Sequence, residues 1–373
     1  MHRTLRVSPR TAATCGAGAP LTRREFLLST AAVLAASTAA HSAALPAQAA
    51  PPPSVPPHLA GYESVFASSP RAASMRWLTD AKFGLFVHYT LASLLAGGKQ
   101  EFVKGADPQA LFRRFTAEKF DAGIIADLAV AARMKYVTFT TKHLGNLYMY
   151  RTSVSDFTSL NSPAKRDLVA ELAEACRRRG LGLFFYVPPE TARTDADHLA
   201  RNHATLRELL TQYGPVAGIW FDGIGPYYKD PPLYSRLSET YALVRSIQPQ
   251  ALVSFKTGAT GEEDFLAPEH TPQLHYDRHH ADAKKFEGKL IEVCTTMQTG
   301  TAMWINNDSA RHMDADQVMA KLAELRRQGC NLLLNTGPRA DGSVHPADAT
   351  ALREVGARLR KSGWPGAASP PAK

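Results

Sequence analysis

The feature that most narrows the fold is an alternation. From Lys82 onward, short apolar runs of strand length take turns with longer stretches whose apolar residues recur at helical spacing. Lys82 to His88, Tyr136 to Thr140, Leu181 to Val187, Val216 to Phe221, Ala251 to Phe255, Leu290 to Cys294 and Leu332 to Leu334 read as strands buried on both faces, as in a parallel sheet. Between them, Asp121 to Met134 sets Ile124, Ile125, Leu128, Ala129 and Ala132 on one helical face, and Lys165 to Arg179 does so with Leu168, Leu172, Ala175 and Cys176. Gly180 and Gly214 stand where helices should end. Strand and helix repeated this often mean βα units wound one way. The segment from Asp264 to Gly288 has room for a further strand, so the predicted fold is α/β: a (β/α)8 barrel forming one domain over residues 61–365. An open doubly wound sheet is the rival, but no Gly-rich turn follows the first strand.

Ahead of the barrel, Thr22-Arg23-Arg24-Glu25-Phe26-Leu27-Leu28 is a twin-arginine motif leading into an Ala-rich run, and Ala47-Gln48-Ala49 offers the small residues of a cleavage site. Residues 1–49 are therefore expected to be an export signal, cut after Ala49, that delivers the chain to the periplasm or the medium. Ser29, Thr30, Ser37, Thr38, His41 and Ser42 dilute the run too much for a membrane anchor. Residues 50–60, with Pro51-Pro52-Pro53-Ser54-Val55-Pro56-Pro57, read as a linker, and residues 366–373 as a tail. The leader holds five arginines against one acid, so the formal charge of +9 falls to about +5 without it. With no basic stripe carrying interleaved aromatics, nucleic acid is not an expected partner. Of Cys15, Cys176, Cys294 and Cys330, no two are closely spaced and three outlast the leader, which predicts buried free thiols.

A barrel carries its chemistry at the C-terminal ends of its strands. Those positions hold His88, Lys142, His143, Tyr186, Asp222, Lys256, Glu292 and Asn335. Asp222 is the sharpest, because Gly218-Ile219-Trp220-Phe221-Asp222-Gly223 ends an apolar strand in a carboxylate, which is costly unless paired or used. The plainer reading, an Asp capping the next helix, is weakened because that helix begins only near Pro231. A catalytic carboxylate commonly works with a second, protonated carboxyl. Glu262, Glu263, Asp264, Glu269 and Glu292 are the downstream candidates, and Glu269 sits among turn residues in Ala267-Pro268-Glu269-His270. His275, His279 and His280 lack the spacing of a metal motif and read as a solvated loop, so neither metal nor cofactor is expected.

From about Trp77 to Lys361 the chain resembles glycoside hydrolase family 29, the α-L-fucosidases. The resemblance rests on Trp77-Leu78-Thr79-Asp80-Ala81-Lys82-Phe83-Gly84-Leu85-Phe86-Val87-His88, Thr141-Lys142-His143, Lys165-Arg166-Asp167-Leu168-Val169, Gly182-Leu183-Phe184-Phe185-Tyr186, Trp220-Phe221-Asp222-Gly223, Glu292-Val293-Cys294 and Asn331-Leu332-Leu333-Leu334-Asn335-Thr336-Gly337-Pro338, in that order. It implies an exo-glycosidase that retains anomeric configuration through a glycosyl-enzyme on Asp222, with an oligosaccharide or glycoconjugate as substrate. Glu269 would be the acid/base, with Glu292 as fallback. His88, Glu101, His143 and Tyr186 would hold sugar hydroxyls, and Trp220 and Lys256 would join them at the substrate.

Several positions depart from the family pattern: Tyr89-Thr90 for Trp-Gly, Phe102 for Trp, Leu144 for Asp, and Lys256 nearest to a usual arginine. The expected sugar is thus fucose or a close relative. A barrel that binds sugar without turning it over is the alternative, and a metal-dependent hydrolase a third reading. The few residues after the last helix leave no room for the family's usual C-terminal β-sandwich, so a divergent catalytic domain alone is expected.

Overall fold

A computed structural model describes residues 54–188, 196–223, 231–274, 283–300, 303–307 and 309–366. The leader, the expected cut after Ala49, His275, His279 and His280, and residues 367–373 lie outside the described residues.

Two helices, α1 (Glu63–Ser68) and α2 (Pro70–Ala81), lead into β1 (Phe83–Val87). Next come α3 (Lys99–Val103), α4 (Pro108–Phe112), α5 (Ala122–Ala131), β2 (Tyr136–Thr140), α6 (Leu168–Arg178), β3 (Gly182–Val187), α7 (Ala196–Gln212), β4 (Gly218–Phe221), α8 (Pro231–Ile247) and β5 (Leu252–Phe255). The chain continues through β6 (Phe265–Leu266), β7 (Leu290–Thr296), the small pair β8 (Gln298–Thr299) and β9 (Arg311–His312), α9 (Ala315–Arg327), β10 (Asn331–Thr336) and α10 (Pro346–Ser362). The strands close in the order β1-β10-β7-β6-β5-β4-β3-β2, with every barrel pairing parallel. The barrel expected from the alternation is therefore observed, and its eighth strand is β6, inside the segment with room for one. Pro268 ends that strand after two residues, since it has no N–H for the ladder.

Strand side chains alternate between two cores. Leu85, Val137, Phe185, Ile219, Val253 and Leu332 pack outward against the helices, whereas Phe86, Tyr136, Phe184, Trp220, Leu252, Phe265 and Leu333 fill the barrel. Trp77 of α2 meets the interior rings of Tyr136 and Phe184 at centroid distances of 6.0 and 6.4 Å. Room for this packing comes from missing side chains: a Cβ on Gly84 would fall 2.2 Å from the Tyr136 ring, and one on Gly182 would fall 2.4 Å from Trp77. Asp121, Asp167 and Asp314 cap α5, α6 and α9 by accepting from the amides of Ile124, Ala170 and Gln317. Gly180 and Gly214 take the positive φ expected of residues that end helices.

Two expectations need correction. Packing begins before Gly61: Pro57 to Leu59 form a short 3-10 turn, with His58 and Leu59 buried and the His58 ring 4.8 Å from that of Trp77. Ile124 is not on the buried face of α5 but 53% exposed, because the helix starts at Ala122 and turns Ile125, Leu128 and Ala129 inward. Cys176, Cys294 and Cys330 are buried free thiols, as the sequence suggested. Among the described residues no helix is long and apolar enough to cross a membrane.

Candidate active site

The interior residues of β1, β3, β4 and β5 continue in register to the strand ends and, except in β3, past them, and there they turn polar. Phe86 leads to His88, Phe184 to Tyr186, Trp220 to Asp222 and Ser254 to Lys256. Phe86, His88, Tyr186, Trp220, Asp222 and Lys256 line a cavity of about 270 Å³, together with Lys99, His143, Glu269, Trp304 and Ile305.

Asp222 is held on three sides. The Tyr186 hydroxyl donates to Oδ2 at 2.7 Å, the Gly223 amide donates to Oδ1 at 2.6 Å, and the Lys256 ammonium lies 3.2 Å from Oδ1. Burial pushes its pKa up, but the ammonium, the hydroxyl and the amide outweigh that and hold the carboxyl below its usual value. Lys256 also donates to Glu269 Oε1 at 2.5 Å, and its Nζ lies 4.8 Å from the centre of the Trp220 ring. Burial would discharge this lysine, yet the carboxylates beside it raise its pKa and keep it protonated. Since one ammonium touches both acids, the two oxygens facing it lie within about 6 Å of each other, which accommodates the separation of about 5 to 5.5 Å between paired carboxyls in retaining glycosidases. The Glu269 backbone is fixed by β7, where the Cys294 amide donates to the Pro268 carbonyl and the His270 amide to the Cys294 carbonyl.

Two neutral imidazoles complete the lining. His88 Nδ1 lies 2.9 Å from Asn335 Oδ1, while Asn335 Nδ2 donates to the Trp304 carbonyl, so Nδ1 carries the proton and Nε2 is left as an acceptor. Burial pushes His143 down to about 4, and its Nδ1 has no hydrogen-bond partner among the described residues. Burial together with the neighbouring His143 also holds His88 well below its ordinary value.

The structure thus brings together His88, His143, Tyr186, Trp220, Asp222, Lys256 and Glu269. It leaves out Glu101, which sits half-exposed on α3 and pairs with Lys104 at 2.7 Å, while Lys99 of the same helix reaches the cavity. Glu292 is not at a strand end, contrary to the sequence reading. It pairs in register with Asn331 at the start of β10, fully buried inside the barrel. Lys142 and Leu144 line a neighbouring cavity of about 920 Å³ that shares His143 and Tyr186 as a wall. The remaining acids are structural: Glu263 accepts from the amides of Ala259, Thr260 and Gly261, Asp264 from the amide of Val253, and Glu262 from the Ser238 hydroxyl. Lys99, Trp304 and Ile305 escaped the sequence reading because they come from loops or a short helix, where no strand periodicity points at the barrel mouth.

Among the described residues one cluster groups potential metal ligands, His312, His345 and Asp348. The two imidazoles stack at 3.9 Å and 4°, so no single ion lies in both ring planes, and His312 Nδ1 is 2.6 Å from Asp348. The cluster reads as a brace between β9 and α10.

A (β/α)8 barrel with two carboxylates sharing one cavity at its mouth is the architecture of a glycoside hydrolase. The model of the family described as Alpha-L-fucosidase matches residues 55–364, and the chain belongs to that family. Tissue α-L-fucosidase of Rattus norvegicus is 27% identical over 335 residues, covering 77% of this chain and 68% of the relative. Among solved structures, α-L-fucosidase isoenzyme 1 from Paenibacillus thiaminolyticus superposes with a TM-score of 0.68 at 26% identity, covering 82% of this chain and 80% of the other. A Bacteroides thetaiotaomicron α-L-fucosidase gives a TM-score of 0.64 at 20% identity, with coverages of 78% and 75%.

Proposed function

We propose that this glycoside hydrolase is a retaining exo-α-L-fucosidase, or acts on a sugar closely related to fucose, with Asp222 as nucleophile and Glu269 as acid/base. One observation carries the reading: Lys256 bonds both carboxylates at the floor of one small cavity. In the first step an Asp222 oxygen forms a bond to the anomeric carbon as the glycosidic C–O bond breaks, and Glu269 gives its proton to the departing oxygen. In the second, water attacks the same carbon while Glu269 takes a proton from it and Asp222 leaves, so two inversions restore the configuration. Lys256 and Tyr186 keep Asp222 ionised for attack. His88 and His143, both neutral, are placed to hydrogen-bond sugar hydroxyls, while Trp304 offers an aromatic face to the ring and Trp220, covered by Tyr186 and Lys256, underlies the site. Because Glu269 must carry a proton to act as acid, its bond to Lys256 has to loosen when a glycoside enters. The leader, read as a twin-arginine signal, makes the periplasm or the medium the proposed place of action.

The Bacteroides enzyme named above has been trapped as a covalent intermediate with 2-fluoro-fucosyl fluoride. The same reagent tests this chain. Mass spectrometry of a digest should find the 2-fluoro-sugar on the peptide containing Asp222, and a label on Glu269, Glu292 or no residue would refute the assignment. A barrel that only binds sugar would bind the reagent without any covalent gain in mass.

Lys256 supplies a second check through pH. The nucleophile works above its pKa, which is depressed here, so the acid limb of kcat/KM should lie below the ordinary carboxylate range. Lys256→Met removes the ammonium and leaves burial to push Asp222 the other way. That limb should then move up by about one pH unit or more, with kcat/KM down at least about tenfold. An unmoved acid limb would show that the ammonium does not set the charge of Asp222.

A further inference from the structure

Glu292 is fully buried inside the barrel, below the cavity, and takes no part in the steps above. Both its oxygens are occupied: the Tyr136 hydroxyl donates to Oε2 at 2.5 Å and the Trp220 indole N–H donates to Oε1 at 3.0 Å. Neither donor is a cation, and burial raises this carboxyl to about 7 despite the two hydrogen bonds. A carboxyl is costly in such a place unless its hydrogen bonds hold something in position.

What it holds is the cavity floor. The Trp220 ring stacks on Tyr186 with centroids 5.7 Å apart and planes 23° from parallel, meets Phe86 edge-on at 5.2 Å, and carries the Lys256 ammonium over its face. Tyr186 and Lys256 are the two side chains that hold opposite oxygens of Asp222. A rotation of the indole would therefore reach both supports of the nucleophile at once. Phe86, Phe184, Leu252 and Phe265, which share the barrel core with it, are apolar and offer its N–H no acceptor.

We infer that Glu292 is a positioning residue: by anchoring the Trp220 indole N–H it sets the plane of the cavity floor, and through Tyr186 and Lys256 the aim of Asp222. Its catalytic consequence, though not the placing of the floor, rests on Asp222 being the nucleophile, and Glu292 is then a support rather than the fallback acid that the resemblance implied.

The test is a double-mutant cycle built from conservative changes. Glu292→Gln keeps the shape of the side chain but weakens the acceptor, whereas Trp220→Phe removes the donor. Glu292→Gln in the otherwise native protein is expected to lower kcat/KM for an aryl α-L-fucoside about tenfold, mostly through kcat. Introduced beside Trp220→Phe, the same change should cost less than about twofold, since nothing remains for it to orient. Affinity for a fucose-configured iminosugar, measured by calorimetry across the same four proteins, should show the same coupling without depending on turnover. Equal losses in both backgrounds, or no loss in the first, would overturn the inference. A loss of about 10³-fold in both would make Glu292 a direct participant in proton transfer. If the native protein turns over no glycoside while iminosugar affinities still couple, the nucleophile assignment falls and the positioning role stands.

Discussion

Asp222→Gly is expected to abolish turnover of an aryl α-L-fucoside, with kcat down by at least about 10⁴-fold, or roughly 5 kcal/mol of barrier. Among the described residues that line the cavity, no other oxygen can replace the lost one. Glu269 is held by Lys256, and Tyr186, whose hydroxyl burial still keeps protonated once the carboxylate is gone, is a far weaker nucleophile than a carboxylate. The substitution is mild for the fold: position 223 is already glycine with φ near 78°, and among the described residues the Asp222 side chain accepts from no backbone amide beyond that neighbouring one. The vacated space has Lys256 at its edge, a suitable place for a small anion, and under the proposed mechanism it would face the anomeric carbon. Azide should therefore restore part of the rate by forming a C–N bond as the glycosidic bond breaks, with Glu269 still protonating the leaving oxygen. The product should be the glycosyl azide of inverted, β configuration. An unchanged rate in this variant, or an azide product of retained configuration, would remove Asp222 from the role.

Much of this site could be read from residue order alone, for a geometric reason. Inward positions in a barrel strand have period two, so once Phe86, Phe184 and Trp220 are interior, His88, Tyr186 and Asp222 must follow them into the mouth. Ser254 and Lys256 obey the same rule. What periodicity does not give is height along the barrel axis. Glu292 has inward parity, but β7 runs seven residues and carries it at its third position, deep in the core rather than at the rim. A strand boundary misjudged by two residues is enough to promote a core acid to a catalytic candidate. The strand β6 shows the opposite difficulty, because two residues make no pattern, and it is the pairing of Phe265 with Ser254 and Leu290 and of Leu266 with Ile291 that defines them as the eighth stave. Side chains arriving from loops have no register to follow. Lys99 enters and Glu101 turns away although they are two residues apart on one short helix, and Trp304 is placed through its carbonyl by Asn335. Those contacts are decided by tertiary packing.

Glu269 faces a harder test than the nucleophile, since its loop position gave the weaker sequence signal and its side chain is 43% exposed. Glu269→Ala should lower kcat about 10² to 10⁴-fold, by an amount that depends on the leaving group. A dinitrophenolate departs without a proton, so formation of the glycosyl-enzyme should stay fast with that substrate while its hydrolysis, now without a base, becomes slow. The expected record is a burst of one equivalent of phenolate, followed by a slow steady state. With a poor leaving group the first step slows as well, and the burst disappears. Azide can then attack the accumulated glycosyl-enzyme, because an anion that is already a strong nucleophile needs no general base. The azide formed this way should have retained, α configuration, opposite to that from Asp222→Gly, since here the sugar has passed through Asp222 first. Opposite configurations from the two variants assign nucleophile and acid/base in one comparison. The same configuration from both, or a Glu269→Ala variant that hydrolyses every aryl glycoside at the native rate, would send the search for the acid back to the other side chains around the cavity.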